Sequence, residues 1–123
     1  MKTFRFLDFP VYQQTKVFYK GVRIIVKKLS HYDALRDQLL RAALSVILNM
    51  AEGSAKKSDK EFARYLEISI ASMNEVVACI DVMYDNGLLS VEVKDAFFIE
   101  AESIVKQLGG FKKKLYKDKN DSQ

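Results

Sequence analysis

The carboxylates, the single histidine and the single cysteine are the side chains of this chain that could take part in catalysis or bind a metal. His31 is the only histidine, so a metal site built on histidines has no second ligand. Cys79 lies between Ala78 and Ile80 and is predicted to be a small buried hydrophobic residue. The central carboxylates follow no recognisable acid–base or metal-ligand spacing; they are Glu52, Glu61, Glu67 and Glu75. With no nucleophile elbow or phosphate-binding glycine loop either, we expect no catalytic residue, no cofactor, no metal and no enzyme.

A line of polar residues on the second predicted helix is the best candidate for a site inside the fold. Its members recur every three or four residues and are Gln38, Arg41, Ser45, Asn49 and Glu52. A line facing water would be rich in Lys and Glu, whereas the middle of this line is short and uncharged, which suits a half-buried hydrogen-bonding seam.

The position of this line relative to the next helix predicts an ion pair. Counting back from the 54–58 turn places Arg41 level with residues 71–75, so we predict a partly buried pair between Arg41 and Glu75. Ser72 or Asn74 would complete it. The predicted polar network comprises Arg41, Ser45, Asn49, Glu52, Ser72 and Glu75. A structural role for this network is favoured, and an enzyme built around it is the weaker alternative.

Three groups of cations are the better candidates for function. The first helix carries Lys16, Lys20, Arg23 and Lys27 opposite its apolar stripe. A second group, at the turn between helices two and three, is Lys57, Lys60 and Arg64, and a third, in the tail, is Lys112, Lys113, Lys114, Lys117 and Lys119. Such groups neutralise phosphates along an RNA or DNA backbone, and Tyr12 and Tyr19 beside the first group could stack on bases.

The distribution of charge supports a nucleic-acid partner. Residues 1–32 carry seven cations and one anion, and residues 112–123 carry five cations and two anions, whereas residues 33–111 carry eight cations and thirteen anions. We therefore predict nucleic acid, with RNA favoured, as a partner. The alternative is a protein–protein interaction scaffold whose positive surface only aids solubility.

Apolar periodicity predicts an all-α fold, an antiparallel up-down-up-down four-helix bundle. The helices are expected over about 11–29, 34–51 and 59–86, with a fourth that Ser90 caps. Gly53 is expected to end the second helix in a left-handed conformation, and Gly87 to end the third. Ser58 and Glu61 form a capping box. The whole chain, 1–123, is read as a single domain, with an aromatic arm over 1–10 and a frayed basic tail over 116–123.

The apolar arcs of the second and third helices are wider than a surface helix needs, which predicts a homo-oligomer that buries the surplus between subunits. No stretch looks like a signal peptide or a membrane span, so we expect a cytoplasmic protein without a membrane role.

The stretch from Arg41 to Glu75 resembles a bacterial four-helix-bundle family encoded in intervening sequences of 23S ribosomal RNA genes. The residues that carry the resemblance are Arg41-Ala42-Ala43, Ser45, Asn49-Met50-Ala51-Glu52-Gly53, Ser58-Asp59-Lys60-Glu61-Phe62, Tyr65-Leu66, Ser72, Glu75 and Gly87-Leu88-Leu89-Ser90. The opening Phe6-Leu7-Asp8-Phe9-Pro10-Val11-Tyr12 is similar to the family's start, although Pro10-Val11-Tyr12 stands where Val-Trp is more usual.

The resemblance implies a small antiparallel bundle that assembles into a ring-shaped homo-oligomer, a pentamer, with no assigned catalytic activity. The family carries a ribosomal-protein label in some naming schemes, which derives from gene location. A related bundle, the accessory variability determinant of diversity-generating retroelements, binds nucleic acid. The family pattern does not identify functional residues, so Arg41, Asn49, Glu52 and Glu75 could equally serve folding or assembly.

Overall fold

The computed structural model describes residues 3–29 and 34–121, and the part it describes is built from helices. A short 3₁₀ turn, Arg5–Asp8, precedes four α-helices: α1 (Pro10–Lys27), α2 (Ala34–Ser54), α3 (Asp59–Asp85) and α4 (Val91–Asp121). Each helix packs against its neighbours in sequence, and α1 also packs against α4. Within the described ranges the backbones of α1 and α3 do not approach each other closely, since no group of their Cα atoms lies within 8 Å, so the two helices lie on opposite corners. The predicted all-α, up-down-up-down four-helix bundle is confirmed.

The helix ends follow from local sequence at four positions. Pro10 occupies the first turn of α1, where its missing N–H leaves no hydrogen bond unmade. The Ser58 hydroxyl accepts from the Glu61 N–H at 3.1 Å and caps α3, and the Ser90 hydroxyl accepts from the Val93 N–H at 3.2 Å and caps α4. Gly87, at φ 74°, provides the left-handed residue after α3.

The prediction for Gly53 is wrong in its conformation. Gly53 is helical and buried, and α2 continues to Ser54. A Cβ on Gly53 would lie 2.5 Å from Tyr65 Cβ and 3.0 Å from Phe62 Cδ1. The residue must be glycine because α2 and α3 approach too closely there for any side chain.

The fourth helix extends into the tail for which the sequence predicts fraying. It runs through Gly109 and Gly110 as far as Asp121, so the backbone that we expected to fray from residue 116 is helical to that point. Leu115 is buried at the bundle and holds this last part of α4 against it. Residues 30–33, which include His31 and the predicted turn, and residues 122–123 lie outside the described residues.

The core is a continuous apolar cluster that all four helices share. Its largest fully buried side chains include Phe18, Met50, Phe62, Met83 and Leu108. Phe9, near the end of the aromatic arm, packs against the core at one end of the bundle. No helix in the described part of the chain is long and apolar enough to cross a membrane.

Substituting two helical glycines should change stability in opposite directions. Gly53→Ala should lower the free energy of unfolding by about 1–3 kcal/mol, because its Cβ forces α2 away from Tyr65. Gly110→Ala, also in a helix but with nothing within 4 Å of its Cβ, should raise it by about 0.5–1 kcal/mol. Urea unfolding followed by circular dichroism measures both. A Gly53→Ala protein as stable as the parent would contradict the close approach.

Candidate nucleic-acid interface

Three phenylalanines close one end of the bundle. The Phe9 and Phe111 rings lie 5.1 Å apart, as do those of Phe62 and Phe111, and Phe9 stacks on Phe62 at 6.3 Å. This cluster joins the start of α1, the start of α3 and the later part of α4. Phe62 is completely buried, so the contact is part of the core rather than a surface association.

This aromatic cluster brings together two groups of cations that the sequence separates. Phe62 lies between Lys60 and Arg64, and Phe111 directly precedes Lys112. Because the two rings touch, the cations of the α2–α3 turn and those of α4 lie at the same end of the molecule. Sequence analysis treated them as separate groups. The spacing of the two phenylalanines does indicate this proximity. In antiparallel helices joined by a turn, residues equally far from the turn lie level, and Phe62 is 25 residues before Gly87 whereas Phe111 is 24 residues after it.

We call this region the basic end and define it as residues 5–8, 52–67 and 111–117. It holds nine cations and five anions. Lys56 pairs with Glu52 at 4.0 Å, and Lys112 pairs with Glu67 at 3.2 Å. The other lysines and the arginine of its segments 52–67 and 111–117 are exposed and, among the described residues, have no carboxylate partner: Lys57, Lys60, Arg64, Lys113, Lys114 and Lys117.

Arg5 is a cation of the basic end that sequence analysis did not single out. Its Nε donates to the Ser54 carbonyl oxygen at 3.0 Å, and its guanidinium lies over the Phe62 ring at 5.2 Å. It thereby satisfies a carbonyl that the end of α2 leaves without a helical partner. Arg5 therefore serves to fasten the arm as well as to add charge.

The predicted cationic line of α1 is present and lies along the side of the bundle. Lys20, Arg23 and Lys27 are exposed, and α1 contains no acidic residue. From Lys16 to Lys27 the line covers roughly 16 Å at 1.5 Å per residue, so it leads away from the basic end. The Lys16 ammonium lies over the Tyr12 ring at 5.1 Å, and the Arg23 guanidinium lies over Tyr19 at 5.9 Å.

Part of the predicted polar network between α2 and α3 forms. The Ser45 and Ser72 hydroxyl oxygens are hydrogen-bonded at 2.8 Å, and Asn49 Nδ2 donates to Ser45 Oγ and to the Ser45 carbonyl, each at 2.9 Å. Gln38 Nε2 donates to Glu75 Oε1 at 2.8 Å. We call these five residues the polar seam. Their hydrogen bonds are made within the protein, which supports the role in packing that the sequence favoured.

The predicted ion pair between Arg41 and Glu75 is wrong. Both residues are exposed, they form no salt bridge, and Glu75 accepts from Gln38 instead. Counting residues from the turn fixes the height of Arg41 on α2 but not the direction in which its side chain leaves the helix. Glu52 also lies outside the seam, because it faces Lys56.

The structure also shows the surroundings of Cys79 and of the side chains that could bind a metal. Cys79 is buried, as predicted, and burial, followed by the carboxylate of Glu75, raises the pKa of its thiol. A raised pKa keeps the thiol protonated near neutral pH, where it is a poor nucleophile. No group of three or more His, Cys, Asp or Glu side chains in the described ranges is arranged to hold a metal ion.

The fold and the basic end place this protein in a class, the all-α four-helix bundles, with a cluster of exposed cations at one end. The chain belongs to the family of 23S rRNA-intervening sequence proteins, whose model matches residues 8–110. This confirms the family resemblance of the sequence. Among curated proteins no relative matches the chain.

A solved structure from Bacteroides thetaiotaomicron has the same fold. It is described as a protein with unknown function from the S23 ribosomal protein family. The two structures agree with a TM-score of 0.78 at 19% sequence identity, over 84% of this chain and 98% of that chain. At 19% sequence identity this structural similarity shows that the two proteins share a fold, the four-helix bundle.

Two double-mutant cycles should separate the observed seam from the predicted ion pair. Ser45→Ala and Ser72→Ala should be coupled by about 0.5–1.5 kcal/mol in the free energy of unfolding, because they share one hydrogen bond. Arg41→Met and Glu75→Leu should be additive within about 0.5 kcal/mol, because the two side chains do not meet. Urea unfolding of the parent, the four single mutants and the two double mutants measures both cycles. Coupling between Arg41 and Glu75, with none between Ser45 and Ser72, would show that the ion pair forms and that the hydrogen bond of the seam does not.

Proposed function

We propose that this protein is a non-enzymatic, homo-oligomeric bundle of the cytoplasm that binds RNA through the basic end and the cationic line of α1. The observation that carries the proposal is the set of six exposed cations without carboxylate partners that converge at the basic end. The line of α1, which has no acidic residue, extends this surface along one side.

The positions of these cations suit a phosphate backbone. Lys60 and Arg64 are four residues apart on α3 and so share one side of that helix, and Lys57 lies in the turn just before it. Cations without an intramolecular carboxylate lose little when a phosphate replaces the counterions around them. Contacts of this type give affinity and orientation with little sequence readout.

The alternative function is a scaffold for a protein partner, and one observation favours it. Val17, Ile24 and Ile99 are 62%, 58% and 70% exposed, and they are among the most exposed apolar side chains of the described residues. Apolar surface of this kind suits a protein better than a nucleic acid. It can also be covered by other subunits, as the predicted oligomer requires.

For self-association we favour the outward face of α2 and α3. Leu44 and Leu48, one turn apart on α2, are exposed, and so are Ile68 and Val82 on α3. These residues lie on the two helices whose apolar arcs predicted an interface. Burying them between subunits would remove apolar surface from water. The family resemblance favours a ring of five subunits.

A salt series should test RNA binding. The parent protein should bind structured RNA with an affinity that falls steeply as the salt concentration rises. Replacing Lys57, Lys60 and Arg64 with Gln should weaken binding and make the slope of log K against log salt shallower by about 2–3, because three phosphate contacts are lost. Replacing Lys16, Lys20, Arg23 and Lys27 with Gln should likewise weaken binding and make the slope shallower. Fluorescence anisotropy of labelled RNA measures the slopes.

A matched control separates the basic end from net charge alone. Arg36, Arg41 and Lys106 replaced with Gln remove the same charge from other parts of the surface, and this variant should keep the parent slope. Equal losses in the control and in the basic-end variant would show only a general charge effect. Absence of binding near physiological salt by a correctly assembled parent would reject RNA binding and favour the scaffold.

Replacing an exposed apolar residue with glutamate should test self-association. Light scattering during gel filtration should give the parent a mass close to five times 14.1 kDa. Leu48→Glu should reduce that mass, because the carboxylate would be buried at the interface without a partner. Ile99→Glu, at a more exposed residue of α4, should leave it unchanged. A loss of mass in Ile99→Glu alone would place the interface on α4 and contradict the proposal.

A further inference from the structure

We propose that the basic end binds single-stranded RNA and that the ring of Tyr116 stacks on one of its bases. This inference rests on the proposed RNA-binding function and adds the kind of RNA and the residue that recognises it. It comes from comparing the tyrosines of the described part of the chain.

Most tyrosine rings are already occupied within the protein. Tyr12 and Tyr19 lie under Lys16 and Arg23, as described above. The Lys56 ammonium lies over Tyr65 at 5.0 Å, and the Lys94 ammonium lies over Tyr84 at 4.3 Å. All four residues are half-buried. A base could not stack on the covered faces of Tyr12 and Tyr19 without displacing their cations, so the stacking role that the sequence suggested for them is not the one the structure favours.

Tyr116 differs from these four tyrosines in its exposure and in the surroundings of its ring. It is 41% exposed, and no cation or second ring among the described residues lies against it. Its neighbour Leu115 is buried, so the helical backbone that carries Tyr116 is held against the bundle. A tyrosine side chain has only two χ angles, so it loses little conformational freedom when a flat ligand binds its ring.

The surroundings of Tyr116 are cationic. Lys112 and Lys113 precede it by four and three residues, so they lie beside it on the surface of α4, and Lys117 follows it. The hydrogen-bonded ion pair of Lys112 with Glu67, at 3.2 Å, fixes this part of α4 beside α3. Lys113 and Lys117 have no carboxylate partner in the described ranges, and they remain available for the phosphates of a strand whose base stacks on Tyr116.

This combination selects single strands over duplexes. In an RNA duplex the bases stack on one another, and a protein reaches mainly phosphates and 2′-hydroxyls. In a single strand the faces of the bases are free, and stacking on aromatic side chains beside a positive groove is the common mode of recognition. A purely cationic surface would favour the higher charge density of a duplex, and the exposed ring of Tyr116 counteracts that preference.

The experiment compares a short oligouridine strand with an RNA duplex of the same length, using fluorescence anisotropy. Tyr116→Leu should weaken binding of the single strand at least about fivefold and leave duplex binding unchanged, because one stacking contact is lost. The slope against salt should stay at the parent value, since no charge is removed. Tyr116→Phe, which keeps the ring, should bind like the parent, and so should Tyr19→Leu, whose ring is covered by Arg23. Circular dichroism checks that each variant is folded.

The outcomes distinguish this inference from the function on which it rests. Binding of both RNAs with no effect of Tyr116→Leu would overturn the role of Tyr116 and leave RNA binding in place. Tighter binding of the duplex by the parent would overturn the preference for single strands. A change of oligomeric mass in Tyr116→Leu would assign the ring to a subunit interface and overturn the stacking role. Absence of binding to either RNA would reject the proposed function itself.

Discussion

The contact between Phe62 and Phe111 is the interaction on which the basic end depends. It places two lysine-rich segments, 57–64 and 112–117, next to each other although like charges repel. Two unit charges 4 Å apart in water repel by about 1 kcal/mol, and salt screens them beyond about 8 Å. Fully burying one phenylalanine contributes about 1.5–3 kcal/mol. The apolar contact is therefore strong enough to hold the cations together, and the repulsion that remains is relieved when an anion binds.

Much of the fold could be predicted because it depends on local patterns. Heptad spacing gives the apolar side of each helix, and Ser58, Ser90 and Gly87 mark helix ends through hydrogen bonds or a backbone conformation that the residue type itself determines. Gly53 misled the prediction because glycine has two uses. It can end a helix, or it can let two helices approach, and only the position of Tyr65 shows which use applies.

The candidate sites were less predictable because they depend on how one helix is oriented toward another. The sequence placed Arg41 at the height of Glu75, but the rotation of α2 directs Gln38 to that carboxylate. Lys20, Arg23 and Lys27 of α1 are exposed, as the sequence predicts, since an exposed face follows from the periodicity of a single helix, whereas Lys16 is half-buried. Whether Tyr12 or Tyr116 has a free ring depends on the conformations of Lys16 and other long side chains, which no spacing in the sequence determines.

The hydrogen bond from Arg5 to Ser54 has a consequence for the order in which the molecule is completed. Its two residues are 49 positions apart, and Phe9 meets Phe111 only after residue 111 has been synthesised. A growing chain can form the α2–α3 hairpin early, because its contacts are close in sequence. The closed aromatic end, with cations from three segments around it, exists only once all three segments have been synthesised. A nascent or truncated chain therefore presents separate basic segments but not the assembled surface.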